Sequence, residues 1–250
     1  MSAFEKKFKT KYFLLPAVSI VLIGKISLAQ DSTASTQPAT LSELKGYQHT
    51  YHYSPGAEAR AKNIAGFMER SATYFQKEIG FTPTATLYIL APPHWKEYAA
   101  KPLENVYGFP HNLDNYRLVI AAEDNDFWRS FLPPVDQLPP AVASQVKIAY
   151  GKPDGSYSMM PFFDLLALHE LGHSYTGQAG LKMQRKWMGE LFVNIMLHTY
   201  IAEQQPELLP ALEAFPGMVV GGGSAGYTFT SLADFEKLYE TMGMGPKNYG

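Results

Sequence analysis

The sequence predicts an α+β fold whose N-terminal half mixes strands with helices and whose C-terminal half is mostly helical. Three observations point there. Short runs rich in Val, Ile and Tyr alternate with helical patterns up to about residue 160. From Pro161 on, the long elements read as helices. Strands and helices first, then helices alone, is an α+β order. At 250 residues the chain is long enough to bury a sizeable core.

The first residues stand apart from that fold. "MSAFEKKFKTKYFLLPAVSIVLIGKISLAQD" opens with Lys6, Lys7, Lys9 and Lys11, continues with an apolar run from about Tyr12 to Gly24, and ends on small residues at Ser27 and Ala29. This is the three-part pattern of an export signal over residues 1–29, cleaved after Ala29, which implies a periplasmic or extracellular protein. The apolar run is too short to span a bilayer and is interrupted by Pro16 and Lys25, so no stable membrane insertion is expected after cleavage. The chain has no cysteine, hence no disulfide and no lipid-bearing thiol. Its formal charge is −2; residues 1–29 hold five Lys and one Glu, which leaves −6 on the remainder. That balance argues against nucleic acid or an anionic membrane as the main partner. The polar stretch "QDSTASTQPAT" reads as part of a flexible linker over 30–45, and residues 46–250 as the folded domain, with a sheet-containing part over 46–160 and a helical part over 161–250.

Within the domain the spacing of Ile64, Phe67, Met68, Phe75 and Ile79 predicts a helix over 57–79 with one apolar face, stopped by Gly80 and Pro83. "ATLYIL" (85–90) reads as a buried strand and "PHWKEYAA" (93–100) as a short helix. "VYGFP" (106–110) and "YRLVIAA" (116–122) read as strands joined by "HNLDN". "PPAVASQVKIAYG" is a helix with Pro at its start and Gly at its end. "DGSYSMMP" (154–161) reads as extended because Met160 precedes a proline. Helices follow over 162–178, 185–204 and 231–243, the last with Ser231 as N-cap and Gly243 at its end. The Gly-rich "GMVVGGGSAG" (217–226) lacks the Lys-Ser/Thr of a phosphate loop and reads as a mobile connection.

The chemistry lies in "FFDLLALHELGHSYTG" (162–177). An apolar helix is an expensive place for His169, Glu170 and His173 unless something satisfies them. His169 and His173, four apart, point from one helix face, where two imidazoles bind one cation at ~2.0–2.1 Å. Glu170 projects beside such a cation rather than onto it, the H-E-x-x-H arrangement with Glu as general base. A third ligand is needed. The next helix, "RKWMGELFVNIMLHTYIAEQ", offers Glu190 among Trp187, Leu191, Phe192 and Ile195, an apolar setting in which a lone carboxylate would be costly. Asp164 and His198 are the rivals. Asn194, one turn past Glu190, is a candidate acceptor for the second ring nitrogen of a ligand histidine.

These residues resemble the gluzincin metallopeptidases, in particular the aminopeptidase N-like (peptidase MA-like) group, in which H-E-x-x-H is followed by W-x-x-E-x-F-A on a second helix. Here "HELGH" is followed by "WMGELFV", so Trp187, Glu190 and Phe192 fall on the family's Trp, Glu and Phe. The resemblance covers roughly 160–200. It implies a thermolysin-like architecture, a small mixed β-sheet against a helical half with one Zn²⁺ in the cleft between them. It also implies an edge strand that pairs with substrate, supplied by "YGFP" or "YRLVIAA". No G-A-M-E-N-like run precedes the motif, and the spacing from His173 to Glu190 is slightly shorter than in that group. The family's oxyanion-stabilising Tyr lies downstream, where Tyr227, Tyr239 and Tyr249 all stand.

The resemblance therefore implies an exported zinc-dependent peptidase acting on peptide or protein. A zinc-containing binding or scaffold domain without activity, and a zinc hydrolase of another amide, stay open. An intact Glu170 favours an enzyme, because a structural zinc has no use for it and normally has a fourth protein ligand.

Overall fold

The computed structural model describes residues 40–238 apart from Asn115, Ser224 and Gly226. β1 (Ser42–Leu44) is followed by β2 (Thr50–Tyr53) and the long helix α1 (Glu58–Ile79). Then come β3 (Thr86–Leu90), α2 (Pro92–Tyr98), β4 (His111–Asn112) and β5 (Arg117–Ala121). Among the described residues six α-helices follow: α3 (Asp126–Arg129), α4 (Pro140–Tyr150), α5 (Met160–Gln178), α6 (Lys186–Gln204), α7 (Leu209–Gly221) and α8 (Leu232–Leu238). The sheet order is β1-β2-β3-β5-β4, with β2, β3 and β5 parallel and the two outer strands antiparallel to their neighbours. The fold is thus mixed α+β with a small mixed sheet and a helical second half.

Alternation along the central strands explains why helices cover both faces. Leu87, Ile89, Leu118 and Ile120 join α1, α5 and α6 in one apolar cluster. Leu90, Val119 and Ala121 join Trp95, Trp128, Val146 and Tyr150 in a second. α5 contributes Leu165, Leu168, Leu171 and Tyr175 to the first cluster and Phe163 to the second, where Phe163 stacks on Trp128 at 4.7 Å. α6 reaches the core through Met196, Leu197, Tyr200 and Ile201, and its burial begins only at Val193.

The predicted helix ends hold in several places. Gly80 closes α1 in a left-handed conformation at φ 72°, its N–H donating to Gln76 O. The expected apolar face is buried except at Ile79, which is 56% exposed in the last turn, where the chain leaves the core. Ser231 Oγ accepts the Asp234 N–H at 3.0 Å and starts α8.

Other expectations are corrected. "VYGFP" is not a strand. Gly108 has φ 102°, and a side chain there would collide with Asn125, while its carbonyl accepts the Trp128 Nε1–H at 2.5 Å. The strand begins at His111 instead, inside the stretch read as a connection. Met160 is helical, not extended: Ser158 Oγ accepts its N–H at 3.1 Å, and Pro161 sits in the first turn, where its missing N–H costs nothing. α7 takes residues 217–221 out of the expected mobile connection and runs through Pro216. The Tyr150 hydroxyl secures α7, donating to Ala211 O and accepting the Phe215 N–H. β1 lies inside the stretch expected as linker. The expected leader over 1–29, and Tyr239, Gly243 and Tyr249, lie outside the described residues. Among those described, no helix is long and apolar enough to cross a membrane.

Candidate metal centre

α5 and α6 lie against each other, and the contact brings His169, His173 and Glu190 together. His169 Nε2 is 3.3 Å from Glu190 Oε2, His173 Nε2 is 3.6 Å from the same oxygen, and the two ring nitrogens are 3.2 Å apart. Donors on a tetrahedral centre with bonds of ~2.0–2.1 Å are ~3.3 Å apart. The three donor atoms therefore have the mutual spacing of ligands on one small cation.

The proton positions fit the same use. His169 Nδ1 lies 3.0 Å from Asn194 Oδ1, and a hydrogen donated there would leave the Nε2 of the neutral ring with its lone pair toward the cluster. Burial opposes charge on His169, but the bond to Glu190 and the charges of Glu170 and Glu190 carry its pKa above the usual value. Burial likewise works against the Glu190 carboxylate, yet hydrogen bonds from His169 and His173 hold it well below the ordinary range. Two imidazoles and a carboxylate facing one point attract positive charge, as protons or as a metal ion.

Glu170 belongs to the site but not to the donor set. It is buried, at 7% exposed, and that burial raises its carboxyl pKa. Its backbone carbonyl accepts from Asn112 Nδ2 at 3.2 Å, and the same nitrogen donates to Ser174 Oγ at 3.1 Å. Asn112 thus ties the edge strand β4 to the helix that carries the histidines. The edge is neither "YGFP", which is a turn, nor "YRLVIAA", which becomes β5 inside the sheet.

Both rivals for the third ligand are engaged elsewhere. Asp164 pairs with Arg60 Nη2 at 2.5 Å, and His198 is exposed and pairs with Glu213 at 2.7 Å. The setting expected for Glu190 needs correcting. Leu191 and Ile195 are 50% and 53% exposed, and the carboxylate itself is half-exposed. Trp187 and Phe192 are partly buried, Phe192 against the first cluster, so the apolar setting holds on one side of Glu190 only, and the histidines offset the cost of its partial burial. Tyr227 is half-buried in the segment that joins α7 to α8. Asn112, Ser174 and Glu236 carry no signal of their own in the sequence. Glu236 on α8 accepts from Trp187 Nε1 at 3.0 Å and from Arg185 Nε at 3.3 Å, holding the first turn of α6.

Comparison of the chain with protein-family models, curated proteins and solved structures gave no match. The likeness to gluzincins therefore rests on the motif residues alone.

Proposed function

We propose that this protein is an exported zinc-dependent peptidase of gluzincin type, with a thermolysin-like arrangement of sheet and helices. The observation that carries the reading is the donor set: His169 Nε2, His173 Nε2 and a Glu190 oxygen within 3.2–3.6 Å of one another, with Glu170 beside them and outside the set. Three protein donors, each partly exposed, leave room for a further ligand from solvent, as a catalytic zinc requires. When bound, zinc supplies a Lewis acid that acidifies a water molecule and polarises a carbonyl.

This chain's own residues supply the remaining functions. Asn194 orients the His169 ring. Glu170, its pKa raised by burial, accepts a proton from the water that attacks the peptide carbonyl. A carbon–oxygen bond forms, the carbon–nitrogen bond breaks, and Glu170 returns the proton to the leaving amine. A peptide substrate is favoured because β4 lies at the sheet edge and is fixed to the Glu170 backbone, where an extended chain can add as a further strand.

The test combines metal analysis with digestion of a peptide library, with and without chelator. Glu170→Gln is expected to keep the metal and to lose turnover by ~10²–10⁴-fold. His169→Ala is expected to lose both. Undiminished cleavage by Glu170→Gln would refute the base, and the absence of bound metal in the wild type would refute the reading.

A further inference from the structure

We infer that a second site, away from the histidines, binds a small amphiphilic anion with an apolar body and a carboxylate-type head. An open cleft of about 880 Å³ lies between α1, the N-terminal end of α5 and the start of α7. That volume falls in the range of small-molecule pockets, ~300–1,000 Å³. None of His169, Glu170, His173 or Glu190 lines it. Its floor is apolar, formed by Phe67, Leu165, Leu208 and Ala211, and Phe67, Leu165 and Ala211 are buried.

The lining charges are unbalanced. Lys62, Arg70 and Lys152 line the cleft against a single acid, Asp164, whose carboxylate is already taken by Arg60. Among the described residues Lys62 pairs with Glu58, four residues away on an exposed helix face, a contact of little strength. Lys152 shares the Asp124 carboxylate with Arg129, each at 3.4 Å. Arg70 faces neutral groups, with Gln205 Oε1 at 3.5 Å and the Tyr200 hydroxyl, and among the described residues it has no carboxylate partner. A patch of three cations stands out on a chain carrying −6 beyond residue 29. In such a cleft the apolar body supplies most of the affinity, and the rim selects the sign of the head group.

The experiment holds the tail constant and changes the head. Dodecanoate, dodecanol and dodecyltrimethylammonium are titrated calorimetrically, below their aggregation limits, into chelator-treated protein. Removing metal first prevents the carboxylate from reporting on a cation at the histidines. Dodecanoate is expected to bind one to one and about tenfold more tightly than dodecanol, with the cationic amphiphile weakest. Arg70→Ala, an exposed position checked by its circular dichroism, should remove most of the dodecanoate advantage and leave dodecanol unchanged. Leu208→Trp, which fills the floor, should weaken both. Equal binding of the three heads overturns the proposal. So does an Arg70→Ala variant that keeps the preference, or a dodecanoate signal seen only before chelator treatment. Glu170→Gln should bind dodecanoate as the wild type does, whether or not the proposed peptidase activity is found.

Discussion

Gly172 on α5 lies so close to Val193 on α6 that only bare backbone fits between them. A Cβ built on Gly172 would stand 2.8 Å from Val193 Cβ and 2.9 Å from Cγ1. The contact is next in sequence to His173 and three residues from Glu190, so it sets the helix separation on which the donor distances depend.

Gly172→Ala is accordingly expected to destabilise the protein by ~1–3 kcal/mol, as overpacking does, although the same change on an uncrowded helix would stabilise it by ~1 kcal/mol. Metal affinity should fall with it. Thermal melts and a metal titration read both effects, and Val193→Ala in the same chain should restore part of each. A more stable Gly172→Ala variant would contradict the close approach.

Asn194→Ala should lower metal affinity by ~10–100-fold, because the His169 ring loses the acceptor that fixes its orientation and tautomer. Asn194→Asp keeps an acceptor and should retain most of the affinity. Competition with a chromophoric chelator measures the difference. Equal affinity in all three proteins would remove Asn194 from the site.

The link from Asn112 to α5 predicts a different signature. Asn112→Ala should cost about 1 kcal/mol of stability and, if β4 receives the substrate, raise KM more than it lowers kcat. Ser174→Ala should do less, since Asn112 Nδ2 keeps the Glu170 carbonyl. A purely structural role would leave KM unmoved in protein that remains folded.

His111 predicts a pH dependence of stability. Burial holds its pKa below the usual 6.5, and its Nε2 accepts the Ala100 N–H at 3.1 Å, which a protonated ring cannot do. The unfolded chain takes up this proton near pH 6.5, and the folded chain only at lower pH. Between those two values the unfolded state binds more protons. The contribution of His111 is therefore complete above about pH 6.5 and declines as the pH falls through the folded value. Melting curves of wild type and His111→Gln should converge as the pH drops across that window; a constant gap would count against it.

The parts of the molecule legible in the sequence are those with dense local signals. The spacing of His169 and His173, and the apolar run before them, depend only on helical geometry. α1 announces itself over 22 residues and ends on a glycine. What escaped is either too short or too distant. β4 has two residues and β1 three, below any pattern a strand can display. α7 contains Pro216 and Gly-rich ends, and its stability comes from Tyr150 on another helix, which local propensity does not encode. Asn112 meets Glu170 across 58 positions of sequence. Glu190 is legible from its apolar neighbours and from its match to the family's W-x-x-E, although only Trp187 and Phe192 of those neighbours are partly buried and Leu191 and Ile195 are exposed.

The late onset of burial along α6 has a consequence for exchange of the proposed ion. His169 and His173 stand on a helix anchored in both apolar clusters, whereas Glu190 stands on the two turns before Val193, held at their start by Glu236. Fraying of those turns would part Glu190 from the histidines while the sheet and α5 stay intact, so release of a cation held there would follow a local breathing motion rather than denaturation. Amide protons of residues 187–192 should therefore exchange with solvent far sooner than those of the segment bearing the imidazoles.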